Sequence, residues 1–193
     1  EIRLDGQVLD IRSPRDAIEA GMGLLTEDRK LQGLVLRHPV RENFSLPNLR
    51  RWCRRGFVQH RRERAELDHY LAALRIRLSN PEERVGNLSG GNQQKVMLAK
   101  WLETKPRLLI FDEPTRGVDV GAKAEVHNII RELAKQGVAV LVISSDLPEV
   151  MALADRVLVM REGQQMGIFD ISDCSQERVI ALATGQKAEV SVA

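Results

Sequence analysis

The sequence predicts an α/β fold: a parallel sheet with flanking helices, together with a helical subdomain. Three observations lead there. From Pro106 onward, short apolar runs alternate with amphipathic stretches of helical period, the pattern of strands joined by crossovers. One of these runs, Leu108 to Phe111, ends abruptly in Asp112-Glu113, as a strand does at the ligand-binding edge of an open sheet. From about Val40 to Trp101 the chain reads as mostly helical, and its composition differs from what surrounds it.

Taken in order, Ile2 to Ile11 reads as a hairpin turning at Asp5-Gly6. A helix follows, with Ser13 as its cap, Pro14 at its first position and Gly21 at its end. Gly23 to Thr26 is a short strand, and Glu27-Asp28-Arg29-Lys30 a charged run. Eight arginines and no lysine fall between Arg41 and Arg64: Arg41, Arg50, Arg51, Arg54, Arg55, Arg61, Arg62 and Arg64. They read as a solvated helical face or as a contact surface for an acidic or phosphate-bearing partner. Arg107 to Phe111 and Val138 to Ile143 are buried strands. Between them Gly121 to Lys135 is a helix, with Val126, Ile129, Ile130 and Leu133 on one face and Gly137 as its stop. Leu147 to Ala154 is a helix, Arg156 to Met160 and Gln164 to Phe169 a strand pair about Glu162-Gly163, and Gln176 to Ala183 a last helix. The expected organisation is residues 1–35 and 102–185 as one core, 36–101 as the helical subdomain and 186–193 as a flexible tail.

Composition sets limits. The chain has 193 residues, 43% hydrophobic and 29% charged, ordinary values for a folded domain. A formal net charge of +2 implies no nucleic-acid or membrane partner from bulk charge. Cys53 and Cys174 form no C-x-x-C pair, and His38, His60, His69 and His127 have no metal-cage spacing. No apolar run reaches the roughly 18 residues that a membrane-spanning helix needs. The first residue is Glu1, so the chain is expected to be a piece of a longer one.

Two clusters carry chemistry. Leu88-Ser89-Gly90-Gly91-Asn92-Gln93-Gln94 opens a helix with Met97, Leu98, Trp101 and Leu102 on its apolar face. Ser89 can cap it, the glycines let a ligand approach the backbone, and free N–H groups at a helix start favour an anion. Taken alone, a plain Ser-Gly-Gly cap accounts for the same residues. Asp112 and Glu113 are two adjacent acids at a strand end, an arrangement that a cation relieves. Asp112 suits magnesium and Glu113 suits orienting or deprotonating a water.

With Ser89 lying 23 residues before Asp112, the chain resembles the ATP-binding-cassette (ABC) ATPases, a P-loop NTPase-like family. In that resemblance Leu88 to Gln94 is the signature, Leu108 to Asp112 the Walker B strand and Glu113 the catalytic glutamate. Arg116-Gly117-Val118-Asp119 is the D-loop. The resemblance implies nucleotide contacts at Ser89, Gly90, Gly91, Gln93, Asp119, Glu27 and Ser145, magnesium at Asp112, and ATP and Mg²⁺ as cofactors. Three stretches resemble the second cassette of bacterial monosaccharide-importer ATPases: Thr26 to Lys30, Pro114 to Lys123, and Ile143 to Glu149. That implies a second ABC ATPase domain and a membrane permease as partners, a periplasmic sugar-binding protein indirectly, and no nucleic acid. It also implies a peripheral place on the cytoplasmic face of the inner membrane.

The sequence departs from the family pattern at three points. It has no Gly-Lys dipeptide, hence no Walker A loop G-x-x-x-x-G-K-[ST], which the family places upstream of this hairpin. Glu27 stands where the family has the Q-loop glutamine, tolerable beside phosphates only with a cation nearby, and Ser145 stands for the switch histidine. A helix N-terminus contributes about 0.3–1 kcal/mol to an exposed anion, whereas micromolar binding needs about 8 kcal/mol. The isolated chain is therefore expected to bind ATP very weakly and not to turn it over. A non-transport ABC ATPase of translation or DNA maintenance, and a degenerate regulatory cassette, are the alternative readings.

Overall fold

In a computed structural model of the chain, residues 1–118 and 120–185 are described. Two compact units emerge, Glu1–Ile143 and Ser144–Ala193. The helical segment and the parallel sheet share the first.

The first unit begins with the antiparallel pair β1 (Ile2–Leu4) and β2 (Gln7–Leu9). Its turn residues Asp5 and Gly6 both have positive φ, the conformation that a tight hairpin requires. Helix α1 (Pro14–Glu19) is capped by Ser13, whose Oγ accepts the Asp16 N–H. Strand β3 (Met22–Leu25) then enters a three-stranded parallel sheet in the order β3-β6-β7, with β6 spanning Leu108–Asp112 and β7 Ala139–Ile143. Helix α6 (Val120–Lys135) makes the crossover and stops before Gly137, at φ +88°. A Cβ at Gly23 would lie 2.8 Å from the Leu109 side chain and 3.2 Å from the Trp101 ring, so only glycine lets β3 lie this close to both.

The sheet buries one face. Leu25, Leu109 and Phe111 are at most 1% exposed. The other face carries Leu24, Ile110 and Leu141 side by side in register, with Leu24 42% and Leu141 46% exposed. The sequence reads β6 and β7 as wholly buried because uninterrupted apolar runs do not say which face is covered.

Between β3 and β6 lies the helical subdomain. It contains a five-residue π-turn (Arg29–Gly33), α2 (Val40–Ser45), a 3₁₀ turn (Leu46–Asn48), α3 (Leu49–Trp52) and a minimal hairpin of β4 (Cys53–Arg54) and β5 (Phe57–Val58). Helix α4 (His60–Ala73), a 3₁₀ turn (Val85–Asn87) and α5 (Gly90–Leu102) complete it. Phe44 packs with Trp52 and Tyr70, at ring separations of 6.2 and 5.5 Å, over buried Val40, Leu67, Val85 and Val96. Two of the eight arginines leave the solvated face. Arg41 binds the buried Glu63 at 2.8 Å and Glu82 at 2.6 Å, and Arg51 binds the buried Glu103 at 2.7 Å. The Glu82 hydrogen bond raises the Arg41 pKa, and burial raises that of Glu103.

The second unit packs α7 (Leu147–Leu153) and α8 (Gln176–Thr184) with the antiparallel strands β8 (Arg156–Arg161) and β9 (Gln164–Asp170), followed by a 3₁₀ turn (Ile171–Asp173). Val157, Val159 and Cys174 form its core. The expected tail, 186–193, lies outside the described residues.

Candidate functional site

The start of α5 is built by its own sequence. Ser89 has extended backbone angles and its Oγ accepts both the Asn92 N–H, at 3.4 Å, and the Asn92 Nδ2, at 3.1 Å. Gly90 and Gly91 then form the first turn, whose N–H groups are free of intrahelical partners by construction. The two glutamines behind them turn inward. Gln93 donates to the carbonyls of Leu88 (3.0 Å) and Val85 (3.3 Å), so its amide supports the loop from within and does not stand on its open edge. Gln94 donates to the Pro114 carbonyl at 3.1 Å, fastening α5 to the turn that follows β6.

That turn begins at the two acids. Asp112 is the last residue of β6, paired with Ile143 of β7. Glu113 continues with φ +47°, left-handed backbone that costs a non-glycine residue roughly 1–2 kcal/mol. Its N–H is held by the Ile143 carbonyl at 2.9 Å, and its own carbonyl accepts the Arg116 N–H at 3.1 Å. Sheet pairing and turn closure thus impose the conformation, and a strained residue at a strand's carboxyl end marks a candidate site. The chain then folds back through Gly117, φ +67°. The Gly117 carbonyl lies 3.8 Å from where a Cβ on Gly90 would be, so the start of α5 and this turn are neighbours.

Glu27 reaches the same place. Its carboxylate pairs with the Arg116 guanidinium, which supplies the cation that a carboxylate here requires. The next residues form the π-turn. Asp28 Oδ1 accepts the N–H groups of Lys30 and Leu31 at 3.0 Å each. Arg29 extends to the carbonyls of Arg116 (3.3 Å) and Gly117 (3.5 Å). At the far end the Gly33 carbonyl accepts a 2.5 Å hydrogen bond from Lys100 Nζ on α5. Burial pushes the Lys100 ammonium down to about 8.

The structure therefore brings Ser89, Gly90, Gly91 and Glu27 to the turn after Asp112 and Glu113. It keeps Gln93 inside. Ser145 belongs to the second unit, next to Ser144, whose Oγ donates to the buried Glu149 at 2.7 Å. Asp119 lies outside the described residues. Sequence reasoning passed over Arg29, Arg116, Gln94 and Lys100 as functional supports. A lysine among the apolar residues Met97, Leu98, Ala99 and Trp101 was the one available sign, for Lys100.

Among the described residues no three His, Cys, Asp or Glu side chains group to hold a metal. A single strand-end carboxylate does not make a protein cage, but it suits magnesium, which keeps waters and takes its other ligands from substrate phosphates. Among the same residues no helix is long and apolar enough to cross a membrane.

Comparison with known proteins places the chain. It is 52% identical to the ribose import ATP-binding protein RbsA of Chromobacterium violaceum, over 95% of this chain and 37% of that protein. It is 51% identical to a putative ribose/galactose/methyl galactoside import ATP-binding protein of Pseudomonas savastanoi pv. phaseolicola, over 97% of this chain and 36% of that one. The chain thus spans little more than a third of the length of these relatives. Among solved structures, the ATP-binding cassette MJ0796, dimeric in a post-hydrolysis state with ADP and Pi, superposes with a TM-score of 0.71 at 19% identity. That match covers 87% of this chain and 72% of that one. The cassette MJ1267 gives 0.70 at 22% identity, over 89% and 71%. Both share the ABC cassette fold. The family model described as ABC transporter matches residues 1–116, and the chain belongs to that family.

Proposed function

We propose that this chain supplies the signature, Walker B and catalytic-glutamate parts of an ATPase cassette that drives sugar import through a membrane permease. One observation carries the reading: the glycine-rich start of α5 and the turn after Asp112-Glu113 are fastened into one surface, through Gln94 to Pro114 and Arg29 to Gly117. The relatives named as ribose and galactose import ATP-binding proteins support the transport assignment.

ATP with magnesium, when bound, supplies a phosphoryl group whose transfer to water releases free energy. Asp112 would hold the magnesium, directly or through water. Glu113 orients the attacking water and accepts its proton. Ser89 and the N–H groups of Gly90 and Gly91 donate to phosphate on a facing cassette, where preorganised donors and the helix dipole favour negative charge. Arg116 neutralises Glu27, so that the carboxylate does not oppose the phosphates.

The test is Glu113→Gln in the full-length parent. ATP hydrolysis should fall by roughly 10²–10⁴-fold while ATP binding persists, and uptake of the transported sugar should stop with it. Unchanged hydrolysis would overturn the assignment of Glu113.

A further inference from the structure

We propose that Arg29 is a positioning residue for this ATPase, the bolt of a strut that sets where the signature helix presents its donors. The inference rests on the function proposed above and deepens it, giving a kinetic role to a residue that enters there only as a fastening.

The strut is the π-turn Arg29–Gly33, and it is anchored at both ends. At one end Gly33 O accepts from Lys100 Nζ on α5, and a Cβ on Gly33 would collide with the Met97 sulfur of the same helix. At the other end the Arg29 guanidinium crosses to the turn after Glu113 and donates to the carbonyls of Arg116 and Gly117. Arg116 returns the connection by pairing with Glu27. Asp28 holds the turn closed between the anchors.

Arg29 also touches the signature. Its Nη2 lies 2.8 Å from where a Cβ on Gly90 would stand, so the guanidinium lies flush against the first residue of α5. This is an adverse place for a cation, because the helix N-terminus is itself positive. The Nε is buried without a hydrogen-bond partner. A bare surface arginine would swing into water. Arg29 is kept in place by two carbonyls that belong to the D-loop segment. Its fork spans both, which a lysine ammonium, a single point of charge, cannot do. Moving Arg29 therefore moves the D-loop turn relative to Gly90. A misplacement of about 1 Å at a reacting centre can cost 100-fold in rate.

The test uses the full-length parent carrying Arg29→Ala or Arg29→Lys. Hydrogen exchange without nucleotide should quicken in 89–92 and 113–118 in both variants, with α4 unchanged. At saturating ATP, kcat should fall by about 10- to 100-fold, with ATP binding and Tm close to those of the parent, and lysine should rescue neither readout. Unchanged exchange, rescue by lysine, or a loss of kcat matched by a general loss of Tm would each overturn the role. If exchange quickens at those segments while Glu113→Gln leaves hydrolysis untouched, the strut stands and the proposed function falls.

Discussion

A buried ammonium is costly to keep charged, and Lys100 bears that cost where α5 meets the π-turn. Its pKa drops from 10.5 to about 8 because burial disfavours the charged form. Below about pH 8 the side chain is protonated in both folded and unfolded chains, and the cost is carried in full. Between about 8 and 10.5 the unfolded chain holds a proton that the folded one has lost, so stability rises with pH. Compared with Lys100→Met, which has no proton to bind, the chain should gain up to about 3 kcal/mol between pH 8 and 10.5 and nothing between pH 6 and 7. Urea unfolding at these pH values reads the difference, and a flat difference would mean that the ammonium is not desolvated. At this scale the sequence was partly legible. It required a cation beside Glu27, and Arg116 stands there. It placed Gln93 on the ligand side, and the structure turns that amide to Val85 and Leu88. That both neighbouring glutamines face inward follows from the packing around the start of α5, and the residue types do not encode it.

Elements with local punctuation were legible; elements held by distant partners were not. Ser13 with Pro14 marks the start of α1, and Gly137 the stop of α6. Glu162-Gly163 turns β8 into β9, with both residues at positive φ. The π-turn was read as a charged run, because its closure depends on one capping aspartate and on an anchor 67 residues away. The β4–β5 hairpin was absorbed into a helical segment, although Arg55 and Gly56 at its tip take positive φ. Arg41 and Arg51 read as solvent-facing because the buried carboxylates that hold them, Glu63 and Glu103, lie 22 and 52 residues further on. The π-turn makes a direct prediction. Asp28→Ala removes the acceptor of two backbone N–H groups and should destabilise the chain by about 1 kcal/mol. Asp28→Asn, which keeps an acceptor oxygen, should recover most of that. Thermal or chemical unfolding of the two variants side by side decides it, and equal losses would count against the cap.

At the scale of the molecule, strands alternating with helices were enough to name a parallel sheet, and the pair of acids to mark the carboxyl end of one of its strands. The covered face and the neighbour order β3-β6-β7 needed coordinates, because β3 pairs with a strand far along the chain. That pairing has a consequence for synthesis. The whole helical subdomain, residues 26–107, is strung between β3 and its partner β6. At about 5–20 residues per second, β3 leaves the ribosome on the order of ten seconds before the strand that completes it. During that wait Gly23 and Leu25 lack their β6 partners Leu109 and Phe111, while α2, α4 and α5 can gather around Phe44. The helical insert should therefore fold first, and the sheet should close over it last. Pulsed hydrogen exchange during refolding should show α4 and α5 amides protected ahead of those in β3, and the reverse order would refute the sequence of events.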